Sequence, residues 1–293
     1  MDQQLGHEKN TDQIAYWNGS AGQRWTDRQA VQDILLAPVS QILIDRARPK
    51  AGERVIDVGC GCGATTIALA RRVGTMGHVL GVDISAPMLT RARERAEPGL
   101  SVEFVLADAT LHPFPPSGAD LLFSRFGVMF FAEPVVSFTH LREALLPGAR
   151  VVFACWREPR ANPWMMLPLM EAYKHVPRLP EMAPEDPGPF AFASRERVEG
   201  ILRAAGFTSI AMEACDLLLD VAVGQGLDAA VNSALAIGPV SRALEEQGEA
   251  QRIAVAGAIR AALAPLQRGT TVPLGASIWM TTARVPARAP LSA

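Results

Sequence analysis

Between residues 51 and 156 the apolar positions fall into two alternating patterns. ERVIDVG, GHVLGVD, SVEFVLAD, ADLLFSRF and ARVVFACW are short runs, apolar on both faces, and all but ADLLFSRF carry β-branched residues. ATTIALARRV, SAPMLTRARERA and VSFTHLREALL lie between them with helical spacing, and Ser85 is a candidate N-cap for the second. Strands and helices in this rhythm predict an α/β fold, an open and mostly parallel Rossmann-like sheet with helices on both faces. Ligands of such sheets gather at the carboxyl ends of the strands.

The flanks have a different texture. QAVQDILLAPVSQILIDRA, residues 29–47, predicts a helix interrupted by Pro38. After Trp156 come Pro159, Pro163, Pro168, Pro177, Pro180, Pro184, Pro187 and Pro189 within 157–193, around the amphipathic piece WMMLPLMEAYKHV. SRERVEGILRAAGF then predicts a helix opened by Ser194 and closed by Gly206. TSIAMEACDLLLDV and ASIWMTTARV predict strands separated by an alanine-rich helical excursion, with one helix over LEEQGEAQRIAVAGAIRAALAPL. The expected organisation is an N-terminal helical segment that closes over the ligand site (1–50), a ligand-binding α/β core (51–156), a cover insertion (157–193), a return to the core (194–225), a helical insertion forming a substrate-side cover (226–270), and a last strand with its tail (271–293). The alanine-rich helix suits either internal packing or a homodimer face.

A chain of 293 residues with 49% hydrophobic content can bury a large core. Its formal net charge of -2 supplies no general field for nucleic acid. The series Arg91, Arg93, Arg95 is expected on a solvated face. No stretch predicts a membrane span or a secretory signal, so a cytoplasmic protein is expected. Four cysteines make no disulfide framework, and Cys60-x-Cys62 lacks a second pair at zinc-site spacing, so no metal is expected.

The chemistry concentrates in VIDVGCGCG, residues 55–63. Gly59, Gly61 and Gly63 let a ligand approach the backbone at a helix N-terminus, which suits a pyrophosphate or a carboxylate equally. A dinucleotide fingerprint would read GxGxxG, whereas this one reads GxGxG, and no phosphate-loop lysine follows. Asp83 ends the second strand, where a carboxylate can accept both ribose hydroxyls or cap the next helix. Asp108 ends the third.

VIDVGCGCG, VLGVDIS, EFVLADAT, ADLLFSRFGVMFF and LLPGARVVFACW together resemble the class I S-adenosylmethionine-dependent methyltransferases, in the small-molecule branch that includes ubiquinone/menaquinone-biosynthesis C-methyltransferases. The resemblance spans residues 51–156 and extends loosely to the last strand. It implies a seven-stranded sheet whose last two strands form an antiparallel pair, and S-adenosyl-L-methionine as cofactor. It also implies that Asp57, Gly59, Gly61 and Gly63 border the methionine part, with Asp83 at the ribose. Ile84 and Met88 would then be apolar neighbours of adenine or ribose, and Asp108 and Ala109 would meet the adenine edge. Ser124, Arg125 and Phe126 would touch the methionine end and the acceptor, while Tyr16, Trp17 and Trp25 fold over the cofactor. The Asn/Asp-Pro-Pro-Tyr motif of base methylation is replaced here by SRFG, which points to a small-molecule methyl acceptor and not to nucleic acid.

Methyl transfer from a sulfonium is an in-line displacement that needs positioning and water exclusion more than a catalytic cluster. Candidate catalytic groups are His112, Tyr173, His175 and Arg125, the last either fixing an acceptor or pairing with Asp27. Candidate acceptor contacts are Phe126, Trp156, Asn162, Trp164, Phe190, Phe192 and Trp279, whose aromatic character favours an aromatic or hydrophobic acceptor. Two other readings stay open: an NAD(P)-dependent oxidoreductase, which would want a later third glycine and a Tyr-x-x-x-Lys, and a cofactor-binding protein without turnover.

Overall fold

The computed structural model describes residues 2–287, with side chains from Asn10 onward. Three helices lead in: α1 (Asp2–Asn18), α2 (Ser20–Asp27) and α3 (Gln29–Ala47). The core then runs β1 (Arg54–Val58), α4 (Ala64–Val73), β2 (His78–Asp83), α5 (Ala86–Arg95), β3 (Val102–Leu106), β4 (Ala119–Arg125), α6 (Pro134–Glu143) and β5 (Leu145–Trp156). α7 (Pro163–Ala172) lies in the proline-rich stretch, and α8 (Arg195–Ala204) leads to β6 (Thr208–Asp220). α9 (Leu227–Ala236), α10 (Pro239–Ala243) and α11 (Glu249–Leu263) separate β6 from β7 (Pro273–Arg284). The tail from 288 on lies outside the described residues.

The seven strands form one sheet in the order β3-β2-β1-β4-β5-β7-β6. β1 to β5 pair in parallel, and β7 is antiparallel to both of its neighbours, β5 and β6. The order reverses direction between β1 and β4, and at such a switch point the loops diverge and leave a crevice. Val55, Val58, Val79, Val82, Leu121, Phe123, Val151 and Phe153 are buried, as expected of strands covered on both faces. The end of α3 is fastened to the sheet by Arg150, which donates to the Ala47 carbonyl and makes a two-pronged ion pair with Glu53.

Several local expectations need correction. α3 runs unbroken through Pro38, because that residue is exposed and the helix turn it leaves unbonded faces water. The alanine-rich helix α11 starts only at Glu249, with Gly248 extended at its N-cap, and buries Val255, Ile259 and Leu263. The arginine series is not simply a solvated face. Arg93 donates to the Phe104 carbonyl, and Arg95 bonds both Asp33 of α3 and the Cys62 carbonyl in the glycine turn. Ser85 occupies the N-cap position of α5, yet its hydroxyl donates to the Trp17 carbonyl at 2.7 Å. Asn18 takes over part of the capping, its Oδ1 accepting from the Ala86 N–H at 2.9 Å. Among the described residues, no helix is long and apolar enough to cross a membrane.

Candidate functional site

Two adjoining cavities open at the carboxyl ends of the parallel strands. The smaller, about 140 Å³, is a cleft between the ends of β1 to β4 and the helix α1. The larger, about 400 Å³, is a chamber between the segment after β4, the end of β5, α7, α9, α10 and the N-terminal helices. They meet where Gln13, Trp17, Trp25, Phe126 and Phe130 line both.

The cleft is shaped by the glycine turn. Gly59 and Cys60 donate their N–H groups to the Val82 carbonyl, which bends β1 across the end of β2. Gly59 has φ +68, and a Cβ there would lie 2.5 Å from the Gly127 Cα, so only glycine allows the two loops to meet. Ser124, fully buried, locks the same junction by donating to the Val58 carbonyl and accepting from the Gly127 and Val128 N–H groups.

Asp57 is completely buried at the end of β1, and its Oδ2 accepts from the Thr65 and Thr66 hydroxyls of α4 at 2.8 and 2.7 Å. Its Oδ1 is buried without a partner. Burial outweighs these two bonds and the attraction of Arg125, and lifts the carboxyl from 3.8 to about 6. Asp83 lines the cleft with both oxygens engaged by backbone, Gly61 N–H at 2.7 Å and Ser85 N–H at 2.9 Å. Burial still raises its carboxyl above the usual range. Each of its oxygens retains a second lone pair for a ligand.

Ile84, Met88, Asp108 and Ala109 complete that side of the cleft. Asp108 accepts from Asn10 of α1 and from the Thr110 N–H. Asn18 donates to the Ile84 carbonyl. Through these bonds α1 lies across the ends of β2 and β3. Arg125 also lines the cleft; its guanidinium donates to the Ser40 hydroxyl at 2.6 Å and makes no pair with Asp27, whose carboxylate accepts from Gln23. Burial pulls the Arg125 pKa down, against the fields of Asp33 and Asp57.

The chamber has an aromatic wall. Phe126 stacks on Trp156 with centroids 4.0 Å apart and planes 12° apart, and Trp164 leans on Trp156 at 5.1 Å. Tyr16, Trp17 and Trp25 form a second aromatic run on the N-terminal helices. Trp17 and Trp25 face both cavities, whereas Tyr16 lines the chamber alone.

Other sequence candidates line neither cavity. Phe192 is fully buried among Phe138 and Phe153 as core, and Phe190 packs partly buried against the same core. Asn162 is also fully buried, its amide bonding the Ser277 N–H and carbonyl and thereby joining α7 to β7. Trp279 donates to the Ala193 carbonyl and lies between the Arg157 and Arg195 guanidiniums. Tyr173 lies under Arg178 and His175 is exposed, because α7 ends at Ala172 and turns both away from the chamber. His112 packs against Phe114 beyond β3, and its carbonyl bonds His140. Gly61 and Gly63 shape the turn without lining the cleft, and Asp57 and Ser124 are buried behind it rather than in its wall.

Sequence reasoning missed Asn10, Gln13, Asn18 and Arg242. Asn10, Gln13 and Trp17 recur at helical spacing along α1, a stripe that was there to be found. Nothing local marks Arg242.

A parallel sheet with a reversed seventh strand, a glycine turn at the switch point and a carboxylate at or just past the end of each of β1, β2 and β3 define a class, and the comparisons agree with it. Residues 55–148 match the methyltransferase domain family. The chain belongs to the class I S-adenosylmethionine-dependent methyltransferases, related to those that act on small molecules; it is an enzyme of this class, with S-adenosylmethionine as its cofactor. It is 34% identical to the aklanonic acid methyltransferase DauC of Streptomyces sp. (strain C5) over 187 residues, 60% of this chain and 82% of that one. It is 30% identical to the demethylmenaquinone methyltransferase of Thermus thermophilus, over 56% of this chain and 79% of that one. Among solved structures, the [4+2]-cyclase SpnF superposes with a TM-score of 0.51 at 20% identity, covering 86% of this chain and 81% of the other, a likeness of fold.

Proposed function

We propose that the protein methylates an oxygen, nitrogen or carbon of an aromatic or similarly flat, apolar acceptor held in the chamber. The observation that carries this reading is the junction at Phe126, where an aromatic-walled chamber of about 400 Å³ opens directly onto the cleft. Ligand sites of this size, apolar with a few polar groups, are typical of small-molecule pockets. Relatives named for aklanonic acid and demethylmenaquinone support the acceptor class.

The residues of the cleft fit the cofactor. Asp57 stands behind the lining residues Val58 and Gly59 rather than in the cleft wall, and offers an unpartnered buried oxygen and a carboxyl that ionises readily once a cation arrives, which suits the amino group of the methionine part. Asp83 has lone pairs left for the ribose hydroxyls, Ile84 and Met88 supply apolar cover, and Asp108 and Ala109 suit the adenine edge. Gly59 keeps the backbone bare beside them, and Ser124 holds that backbone in place. Arg125 borders the methionine end. Trp17 and Trp25 close the junction against water, which keeps the transfer in a dry site. The bound cofactor supplies the methyl group as an electrophile. Among the described residues no histidine lines either cavity, so in this proposal the roles expected of His112, His175 and Tyr173 are withdrawn, and positioning dominates.

The test is transfer of a labelled methyl from S-adenosylmethionine to a panel of quinones, phenols and polycyclic ketones, set beside sugars and free amino acids. Labelled product from the aromatic set is expected. Turnover confined to sugars or amino acids overturns the acceptor class.

A further inference from the structure

The chamber is apolar along Phe126, Trp156 and Trp164, but its α10 end is cationic. Arg242 of α10 lines it with its guanidinium 5.7 Å from the centre of the Tyr16 ring. Arg24 of α2 lines it too, but is answered by Glu245 at 2.8 Å. Arg242 has no such answer among the described residues and makes no side-chain hydrogen bond there. The other acidic group at the rim is Asp12, exposed on α1.

Tyr16 belongs to the same end. The fields of Arg242 and Arg24 favour its phenolate, but burial outweighs them and raises its pKa, so the phenol keeps its proton and can donate. Trp164, in the first turn of α7, has a buried Nε1 donor with no partner and also lines the chamber. A partly buried guanidinium without a counter-ion is costly in an apolar chamber, and its planar fork matches a carboxylate. Tyr16 and Arg242 border only the chamber and not the cleft. An anion held there is therefore a handle away from the atom that receives the methyl.

Resting on the reading that the chamber is the acceptor site, we propose that the acceptor carries a carboxylate, held by Arg242 with Tyr16 at the α10 end while its rings lie against Trp156, Trp164 and Phe126. Arg242 thereby selects acidic aromatic acceptors over neutral ones of the same shape.

The experiment is calorimetry on the full chain saturated with S-adenosylhomocysteine, with anthraquinone-2-carboxylate and anthraquinone-2-carboxamide as matched probes. The wild-type protein should bind the carboxylate about tenfold tighter or more, as expected of a charge-assisted pair. Arg242→Gln should erase that preference while leaving the carboxamide unchanged, and Arg242→Lys should restore part of it. Retained affinity for S-adenosylhomocysteine verifies that each variant is folded. Equal binding of the two probes by wild type, or a preference that survives in Arg242→Gln, overturns the carboxylate handle alone. Failure of both probes to bind the wild-type protein overturns the handle and the chamber reading together.

Discussion

Gly59 and Gly127 meet backbone to backbone: a Cβ on the first would lie 2.5 Å from the Cα of the second, and a Cβ on Gly127 would lie 2.5 Å from the Val58 carbonyl oxygen. The obstacles are main-chain atoms, which cannot swing aside as a side chain would. Gly127→Ala is therefore expected to cost about 2 kcal/mol or more of stability and to weaken S-adenosylhomocysteine binding. Thermal unfolding and calorimetry check it, and an unchanged melting temperature would show that the loops can part cheaply.

Asp57 gives a pH dependence with a definite sign. Its folded carboxyl sits at about 6 against the ordinary 3.8, so the folded state holds the proton more tightly than the unfolded chain. The stabilisation it brings is full below about pH 4 and lost as pH rises through 6, an amount of order 3 kcal/mol. Between about pH 4 and 7, wild-type stability should fall by up to that much relative to Asp57→Asn, which isolates this carboxyl from the others. Cofactor affinity should move the other way, because a bound ammonium favours the ionised form. Titrations of S-adenosylhomocysteine should tighten toward neutral pH in wild type and lose that trend in the variant.

The two classes of sequence candidate for acceptor contact separate by readout. Phe192→Ala removes a fully buried ring and should cost about 3–5 kcal/mol in chemical denaturation. Trp164→Ala trims the chamber wall, so it should leave cofactor binding intact and raise the acceptor KM about tenfold. Equal effects of both on KM, with no difference in stability, would contradict this division.

The carboxylate that ends β2, Asp83, organises the turn before any ligand arrives. Asp83→Ala leaves the Gly61 and Ser85 N–H groups without their acceptor, at about 1–3 kcal/mol of stability. Cofactor affinity should drop by at least tenfold. Asp83→Asn, which keeps one acceptor oxygen, should recover part of the stability and less of the affinity.

The parallel core was legible because each strand is apolar on both faces and each helix is amphipathic, so local pattern and final environment coincide. Asp57, Asp83 and Asp108 could be placed for a related reason: a carboxylate at the end of a parallel strand has few places to go. Phe192, Asn162 and Trp279 misled, since an aromatic or amide after the core reads the same whether it faces a chamber or braces a strand. Only the tertiary pairing of Asn162 with Ser277 decides it. Pro38 misled because its effect depends on whether the broken turn is wet. Arg242 could not be found at all, since its meeting with Tyr16 joins residues far apart in the chain.

The excursion that carries α9 to α11 leaves the sheet after Asp220 and returns at Pro273, and these two residues are direct partners across β6 and β7. Asp220 also clasps the returning chain by accepting from the Val272 N–H. A loop whose ends are already fastened side by side can be lengthened, shortened or exchanged without disturbing the strands that hold the glycine turn. That segment is thus free to diversify while the sheet stays constant, and grafting it between relatives is a direct route to altered acceptor preference.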